Sequence, residues 1–212
     1  MNYLRENPDV VLERLGEHVQ LVAISVVVAI LVGIPLGIFI TKVRWLQAPV
    51  LVTAGVLYTV PSLALFAILI PYTGVGVPTA TIALVLYSLL VIVRNTVAGI
   101  DGVSPMAVDA ARGMGMTGGQ RLRLVDLPLA LPVILAGVRL ATVATVGTAT
   151  VAAAIGAGGV GRLIFDGMDR RDPDRIAAGA IPAAALALLA DWGLGRFGHF
   201  LQRGGRPVAE DA

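Results

Sequence analysis

Residues 109–128 read DAARGMGMTGGQRLRLVDLP, a stretch that holds three arginines, two aspartates and four glycines. It lies near the middle of a 212-residue chain that is 57% hydrophobic and only 14% charged. Apolar runs flank it on both sides. The mean hydropathy of +0.85 exceeds that of soluble domains, in which about half the residues are apolar. A loop that merely joined two helices could be far shorter than this polar interlude.

Working outward, five apolar runs emerge, at about Gln20–Ile40, Pro49–Ile70, Val77–Val93, Pro132–Ile155 and Ile176–Phe197. About 20 residues rising 1.5 Å each cover the roughly 30 Å hydrocarbon core of a bilayer. Lipid offers no partner for open backbone groups, so these runs are expected to be helices. A β-barrel would alternate apolar and polar residues, and these runs are continuous. A soluble core of five such helices would have no polar shell to cover it. The expected fold is an all-α integral membrane protein, one transmembrane domain over 1–212. Its lead-in of 17 residues lacks the basic start and small-residue cleavage site of a signal peptide and reads as amphipathic and retained.

Basic residues set the orientation. One side collects Lys42, Arg44, Arg94, Arg112, Arg121, Arg123, Arg196, Arg203 and Arg206; the other holds Arg5, Arg14, Arg162, Arg170, Arg171 and Arg175. The richer side is expected in the cytoplasm, with the central loop 101–131 and the C-terminus. The N-terminus and the loop 156–175 then lie outside. That outer loop balances four arginines with four aspartates, and its Leu-Ile-Phe core suggests a short interfacial helix ahead of a turn at Asp172-Pro173.

The central loop carries its own start and stop signals. Ser104-Pro105 reads as an N-cap followed by proline at the first helical position. That helix should end at Gly113 or Gly115, which tolerate a left-handed cap. Thr117 and Gln120 fit a capping box opening a second helix, expected to stop before Pro128, with Leu122, Val125 and Leu129 on one face and Arg121 and Arg123 exposed. The shape is helix, sharp bend, helix: a docking knob, or an amphipathic hairpin capping the bundle.

The spacing Asp109-Ala110-Ala111, three residues, Gly115, nine residues, Val125, one residue, Leu127-Pro128 resembles the cytoplasmic "EAA" loop of ABC importer permeases, with Asp109 for the usual Glu and Val125 for Ile. The segments IPLGIFITK, YTVPSLALFAILIP, LVLYSLLVIVRNTVAGIDGV and ALLADW, with the long run from Asp126 to Phe165, look like the osmoprotectant branch, whose solutes are glycine betaine, choline, carnitine and proline. The resemblance covers roughly Val19 to Arg203. It implies a type I ABC importer permease (MetI-like) architecture in the inner membrane of a bacterium. It also implies two permease subunits, two ATPase subunits holding ATP and Mg²⁺, and an extracytoplasmic substrate-binding protein. Asp109, Ala110, Ala111, Gly115, Leu127 and Pro128 are the residues it implies for ATPase coupling. Asp109 either contacts the ATPase or favours its own helix through the N-terminal dipole.

Other residues bound the chemistry. All but one of the 16 basic residues are arginine, and the exception, Lys42, lacks the glycine frame of a phosphate-binding loop. An ATPase, if one drives the chain, must be another polypeptide. Cysteine is absent and His18 and His199 lie at opposite ends, which gives no basis for a metal site. Charge is dispersed and the net charge is +2, so nucleic-acid binding has no support. For a translocation path the candidates are Tyr58, Pro61, Ser62, Asn95, Thr142, Thr145 and Thr148. Pro35 and Pro61 interrupt the first two runs, either freeing carbonyls for a cavity or kinking for packing. The threonines, recurring every third residue beside Gly137 and Gly147, line a polar path or provide small-residue packing. Arg139 is expected near the cytoplasmic end of a late-starting fourth helix, snorkelling, and Asp191 near an end too. Tyr58, Tyr72, Tyr87 and Trp192 are scattered, with no aromatic cage apparent. The alternatives are a permease for another small solute or an ion-coupled secondary transporter, which usually shows intramembrane acids and internal repeats. Gly115→Val is expected to abolish transport and weaken ATPase association while the chain still inserts, measured by uptake and co-purification.

Overall fold

A computed structural model describes residues 2–203; Arg206, counted above on the cytoplasmic side, lies outside them. The described chain is helical nearly throughout. A short α1 (Asn2–Glu6) leads into α2 (Pro8–Lys42), whose first turn is opened by Pro8. At about 1.5 Å per residue, the 35 residues of α2 make a rod of about 50 Å. From Pro8 onward the lead-in is therefore continuous with the first membrane-crossing helix. Pro35 sits inside α2 without breaking it, and its side chain is on the exposed face. The expected interruption at Pro35 does not occur.

The second apolar run behaves differently. It folds as α3 (Arg44–Thr59) and α4 (Ser62–Thr73), bent by 102° across Val60-Pro61. Pro61 supplies no N–H and crowds the residue before it out of the helical region, and Val60 is accordingly extended, at φ −67° and ψ 126°. The run read as one helix from Pro49 to Ile70 is thus a broken one. Next, α5 (Val77–Asp101) packs chiefly on α2 and on α8 (Leu127–Ala152), forming the centre of the bundle. Between them lie α6 (Pro105–Gly113), α7 (Gly118–Arg121) and a π-helical segment (Leu122–Asp126). A 3₁₀ turn (Ala153–Ile155), α9 (Gly161–Arg170) and α10 (Pro173–Arg203) complete the described residues. Among the described residues, four helices are long and apolar enough to cross a membrane, and the α3–α4 pair makes up to five.

In lipid the solvent tails are as apolar as leucine, so helices associate by close packing and hydrogen bonding. The sequence supplies small residues where that closeness is greatest. A Cβ on Gly37 would meet Thr96 Cβ at 2.6 Å, which sets the α2–α5 approach. A Cβ on Gly137 would meet Asn95 Cβ at 2.3 Å, which sets the α5–α8 approach. Gly147 has open space around it and takes no part in such packing. Around these contacts Leu21, Val22, Leu65, Phe66, Leu84 and Val146 form the main buried cluster, drawn from α2, α4, α5 and α8.

One part of the expectation for Arg139 fails, the late start of its helix. Arg139 stands midway along α8 and forms two hydrogen bonds, each 2.5 Å, with the two carboxylate oxygens of Asp191 on α10. The helix does not start late, because Gly118–Ile155 runs as one 38-residue rod. The bidentate carboxylate neutralises a guanidinium that lies exposed on the bundle surface.

The end of the bundle holding the N-terminus is tied by polar contacts. Glu17 accepts the Gly159 N–H at 2.8 Å and is held by Arg14 at 2.9 Å. His18, fully buried, donates through Nε2 to the Val146 carbonyl at 3.1 Å. Glu17 thus pins α2 to the turn that precedes α9, and His18 pins α2 to α8. Gly137→Ala is expected to lower the thermal midpoint of the purified chain. Gly147→Ala should raise stability by about 0.5–1 kcal/mol through helix propensity alone. Melting the two variants side by side in detergent checks the pair.

Candidate functional site: a capped surface helix and a cavity at the helix break

Two places gather the residues singled out from the sequence. The first is the central loop. Ser104 precedes α6 as its N-cap residue through its backbone carbonyl, which accepts the Ala107 and Val108 N–H groups, with Pro105 opening the helix. Ala111 is fully buried and Ala107 and Val108 are half-buried, so this face turns inward. The opposite face is exposed: Met106, Asp109, Ala110, Gly113 and Met114. These recur at i, i+3, i+4, i+7 and i+8, a continuous stripe along one side. Among the described residues Asp109 pairs only with exposed Arg112, at 3.4 Å. It lies beyond the first turn of α6, where the helix dipole has faded. Of the two roles open to Asp109, the dipole account loses its footing.

Gly115 has φ +74° with nothing near its missing side chain, so it shapes the bend and touches no neighbour there. The capping box at Thr117 forms as expected: its N–H donates to Gln120 Oε1 at 2.8 Å, and Gln120 N–H donates to Thr117 Oγ1 at 3.3 Å. The second helix does not stop before Pro128. It passes through the π turn into α8, where the Leu127 N–H reaches the Leu122 carbonyl. The wider π turn absorbs the strain that Pro128, with no N–H, imposes on the helix around it. Leu122 and Val125 are half-buried as expected, whereas Leu129 is exposed.

Arg121 is not a free surface charge. Its Nε donates to Asp126 at 3.0 Å, and Asp126 is only 3% exposed. This pair braces α7 against the π turn. Beneath the loop, Lys42, Arg44, Asp101, Asp109 and Arg112 line a cleft of about 360 Å³, in which Arg44 approaches Asp101 at 3.7 Å. The exposed methionines and the Arg121–Asp126 brace were not picked out from the sequence. The methionines could have been, from their helical spacing; the brace could not, because burial of Asp126 depends on tertiary packing.

The second place is a cavity of about 210 Å³ at the α3–α4 break. It is lined by Tyr58, Ser62, Tyr87, Ser88, Thr145 and Thr148, with apolar neighbours from α5 and α8. Four of the sequence candidates meet here: Tyr58, Ser62, Thr145 and Thr148. Pro61 creates the break but does not line the cavity. Asn95 and Thr142 stand apart: Asn95 packs against Gly137 and donates to the Val91 carbonyl, and Thr142 donates to the Val138 carbonyl. Tyr87 and Ser88 are the residues that the sequence reading missed as lining.

Local geometry orients these groups. The Tyr87 hydroxyl donates to the Val60 carbonyl at 2.6 Å. The Tyr58 and Tyr87 rings meet edge to face, 5.8 Å apart at 82°. The aromatic residues are therefore not all scattered, although Tyr72 and Trp192 stay exposed elsewhere. Thr145 and Thr148 donate to carbonyls one turn back, at 2.7 and 3.0 Å, and Ser88 bonds Thr145 at 2.8 Å.

Arg121→Met is expected to destabilise the chain by about 1–3 kcal/mol, because it strands a buried carboxylate. Arg121→Met combined with Asp126→Leu should recover most of that loss. Unfolding midpoints of the two variants in detergent decide it.

Residues 33–202 match the family described as binding-protein-dependent transport system inner membrane component. The chain is 44% identical to the osmoprotectant import permease protein OsmW of Salmonella typhimurium, over 92% of this chain and 94% of that one. It is 41% identical to the glycine betaine/carnitine/choline transport system permease protein OpuCB of Bacillus subtilis, over 91% and 88%. The carnitine transport permease protein OpuCB of Listeria monocytogenes is 40% identical, over 95% and 92%. Among solved structures, the inward-facing MetNI methionine ABC transporter superposes with a TM-score of 0.83 at 20% identity, over 91% of this chain and 96% of that one. This likeness bears on the fold. The chain belongs to the binding-protein-dependent transport system inner membrane components, the permease subunits of ABC importers, in which ATP is hydrolysed by a separate subunit.

Proposed function

We propose that this chain carries a compatible solute such as glycine betaine, choline, carnitine or proline into a bacterial cell across the inner membrane. Its N-terminus faces outward and the central loop and C-terminus face the cytoplasm. A second permease subunit, identical or different, completes the pore, and an extracytoplasmic binding protein delivers the solute. ATP and Mg²⁺ reside on a partner ATPase that docks on α6. The solute class is supported by the names of relatives at 40–44% identity over nearly the whole chain.

The observation that carries the coupling role is the exposed stripe on α6. Met106 and Met114 are 81% and 68% exposed and flank Asp109 and Ala110. Methionine is flexible and polarizable, which suits a surface that must stay in contact with a moving partner. The path from that surface inward is short and stiff. The buried face of α6, the Arg121–Asp126 brace and the capping box connect it to the Gly118–Ile155 rod. Thr145 and Thr148 ride on the same rod, and Thr145 lies roughly 40 Å along it from Gly118. A partner that moves α6 on closing its nucleotide site thereby moves one wall of the cavity.

The test is uptake of labelled betaine, choline, carnitine and proline by proteoliposomes holding the full assembly, with ATP inside. Uptake of at least one of these solutes should require internal ATP and the binding protein. Met106→Asp with Met114→Asp should release the ATPase on purification while the permease remains in the membrane. Uptake that survives ATP removal but collapses with a protonophore would overturn the reading in favour of an ion-coupled transporter.

A further inference from the structure

We propose that the cavity at the α3–α4 break is a transient binding site for a quaternary ammonium group, with the Tyr58–Tyr87 pair as its cation-binding wall. The inference rests on the solute reading above and adds a site to it within the permease itself.

The chemistry follows from how the lining groups spend their hydrogens. Thr145 and Thr148 give theirs to backbone carbonyls. With the Thr145 hydrogen so committed, the Ser88 hydroxyl is the donor in the Ser88–Thr145 bond. Tyr87 gives its hydrogen to the Val60 carbonyl. These four hydroxyls are thus left to offer oxygen lone pairs, and the two tyrosines add aromatic rings set at 82° to each other. Lone pairs and ring faces both attract positive charge. The Val60 bond has a second effect: it locks the Tyr87 ring in place, so no ordering of that side chain is needed when a cation arrives.

The lining also selects among cations. None of the residues around the cavity is charged. A primary ammonium is strongly hydrated and loses much on entering a site without a carboxylate. A trimethylammonium holds its water weakly and carries its charge on methyl groups that lie against rings, the mode in which aromatic surroundings recognise quaternary ligands. Size agrees: about 210 Å³ falls below the range of roughly 300–1,000 Å³ typical of sites for drug-sized ligands. Without a counter-charge the site holds its guest weakly, as a station on a path must if the guest is to leave.

The test uses the permease–ATPase complex in nanodiscs, titrated with choline and observed by saturation-transfer NMR on the choline methyl groups. A parallel titration uses the uncharged analogue in which a tert-butyl group replaces the trimethylammonium. Tyr58 is the residue to vary, because no hydrogen bond of its hydroxyl contributes to the fold described above. Tyr58→Leu should weaken choline binding roughly 2- to 30-fold. Tyr58→Phe should stay close to the parent, and the uncharged analogue should bind the parent more weakly than choline and ignore Tyr58→Leu. Retention of the ATPase by each variant verifies folding. Choline affinity unchanged by Tyr58→Leu, or choline and its uncharged analogue binding alike, overturns the site. The two readings fail separately. Choline binding that depends on Tyr58 in a complex that imports nothing with ATP would sustain the site and sink the importer reading. Normal ATP-driven choline import by Tyr58→Leu would do the reverse.

Discussion

A carbonyl inside an apolar bundle has no water to turn to, and at Val60 the donor that satisfies it is the Tyr87 hydroxyl, 2.6 Å away. Pro61 makes this bond necessary, because it brings no N–H and holds Val60 extended. The bond in turn makes the break tolerable. Once α3 and α4 diverge by 102°, a space remains between them and the α5–α8 pair. Tyr87, drawn to the break by its hydroxyl, then stands beside Tyr58, and the polar faces of α5 and α8 are left looking into the space. One unsatisfied backbone group thus explains the bend, the cavity and the aromatic pair together.

The same economy governs the loop end. Pro128 would ordinarily terminate a helix, and instead the chain widens into a π turn and continues. The consequence is mechanical. The element begun by the Thr117 capping box is not a separate surface helix but the head of the rod that reaches Thr145 and Thr148. Only α6 remains a distinct body, set off by the left-handed turn at Gly115. It rests on its buried Ala111 face and leaves its methionine face open. The two ends of the rod are the two places where residues of interest collect.

Two ion pairs tie segments of the bundle, one exposed on its surface and one with a buried carboxylate. Arg139 with Asp191 joins α8 to α10, and Arg121 with Asp126 braces the rod's head. Neither pair shows as a motif in the chain, because the partners of the first are 52 residues apart and the second gains its character only from burial.

What the sequence alone determined is local or compositional. Continuous apolar runs in a chain of such hydropathy leave no form but membrane helices, because lipid cannot satisfy open strands. Caps and turns depend on a few neighbouring residues, so Pro105, Gly115 and the Thr117–Gln120 box were legible one by one. The spacing from Asp109 to Pro128 carried the family. What only the tertiary structure decided depends on which faces meet. Asn95 and Thr142 are as polar in sequence as Thr148, yet Asn95 faces Gly137 while Thr148 faces the cavity. Tyr58 and Tyr87 lie 29 positions apart along the chain, and nothing local says that their rings touch. Whether a proline breaks a helix or rides within it was also undecided locally. Pro35 stays on an exposed face of an intact rod, whereas Pro61 breaks its run, because there a tyrosine from another helix was in reach of the freed carbonyl.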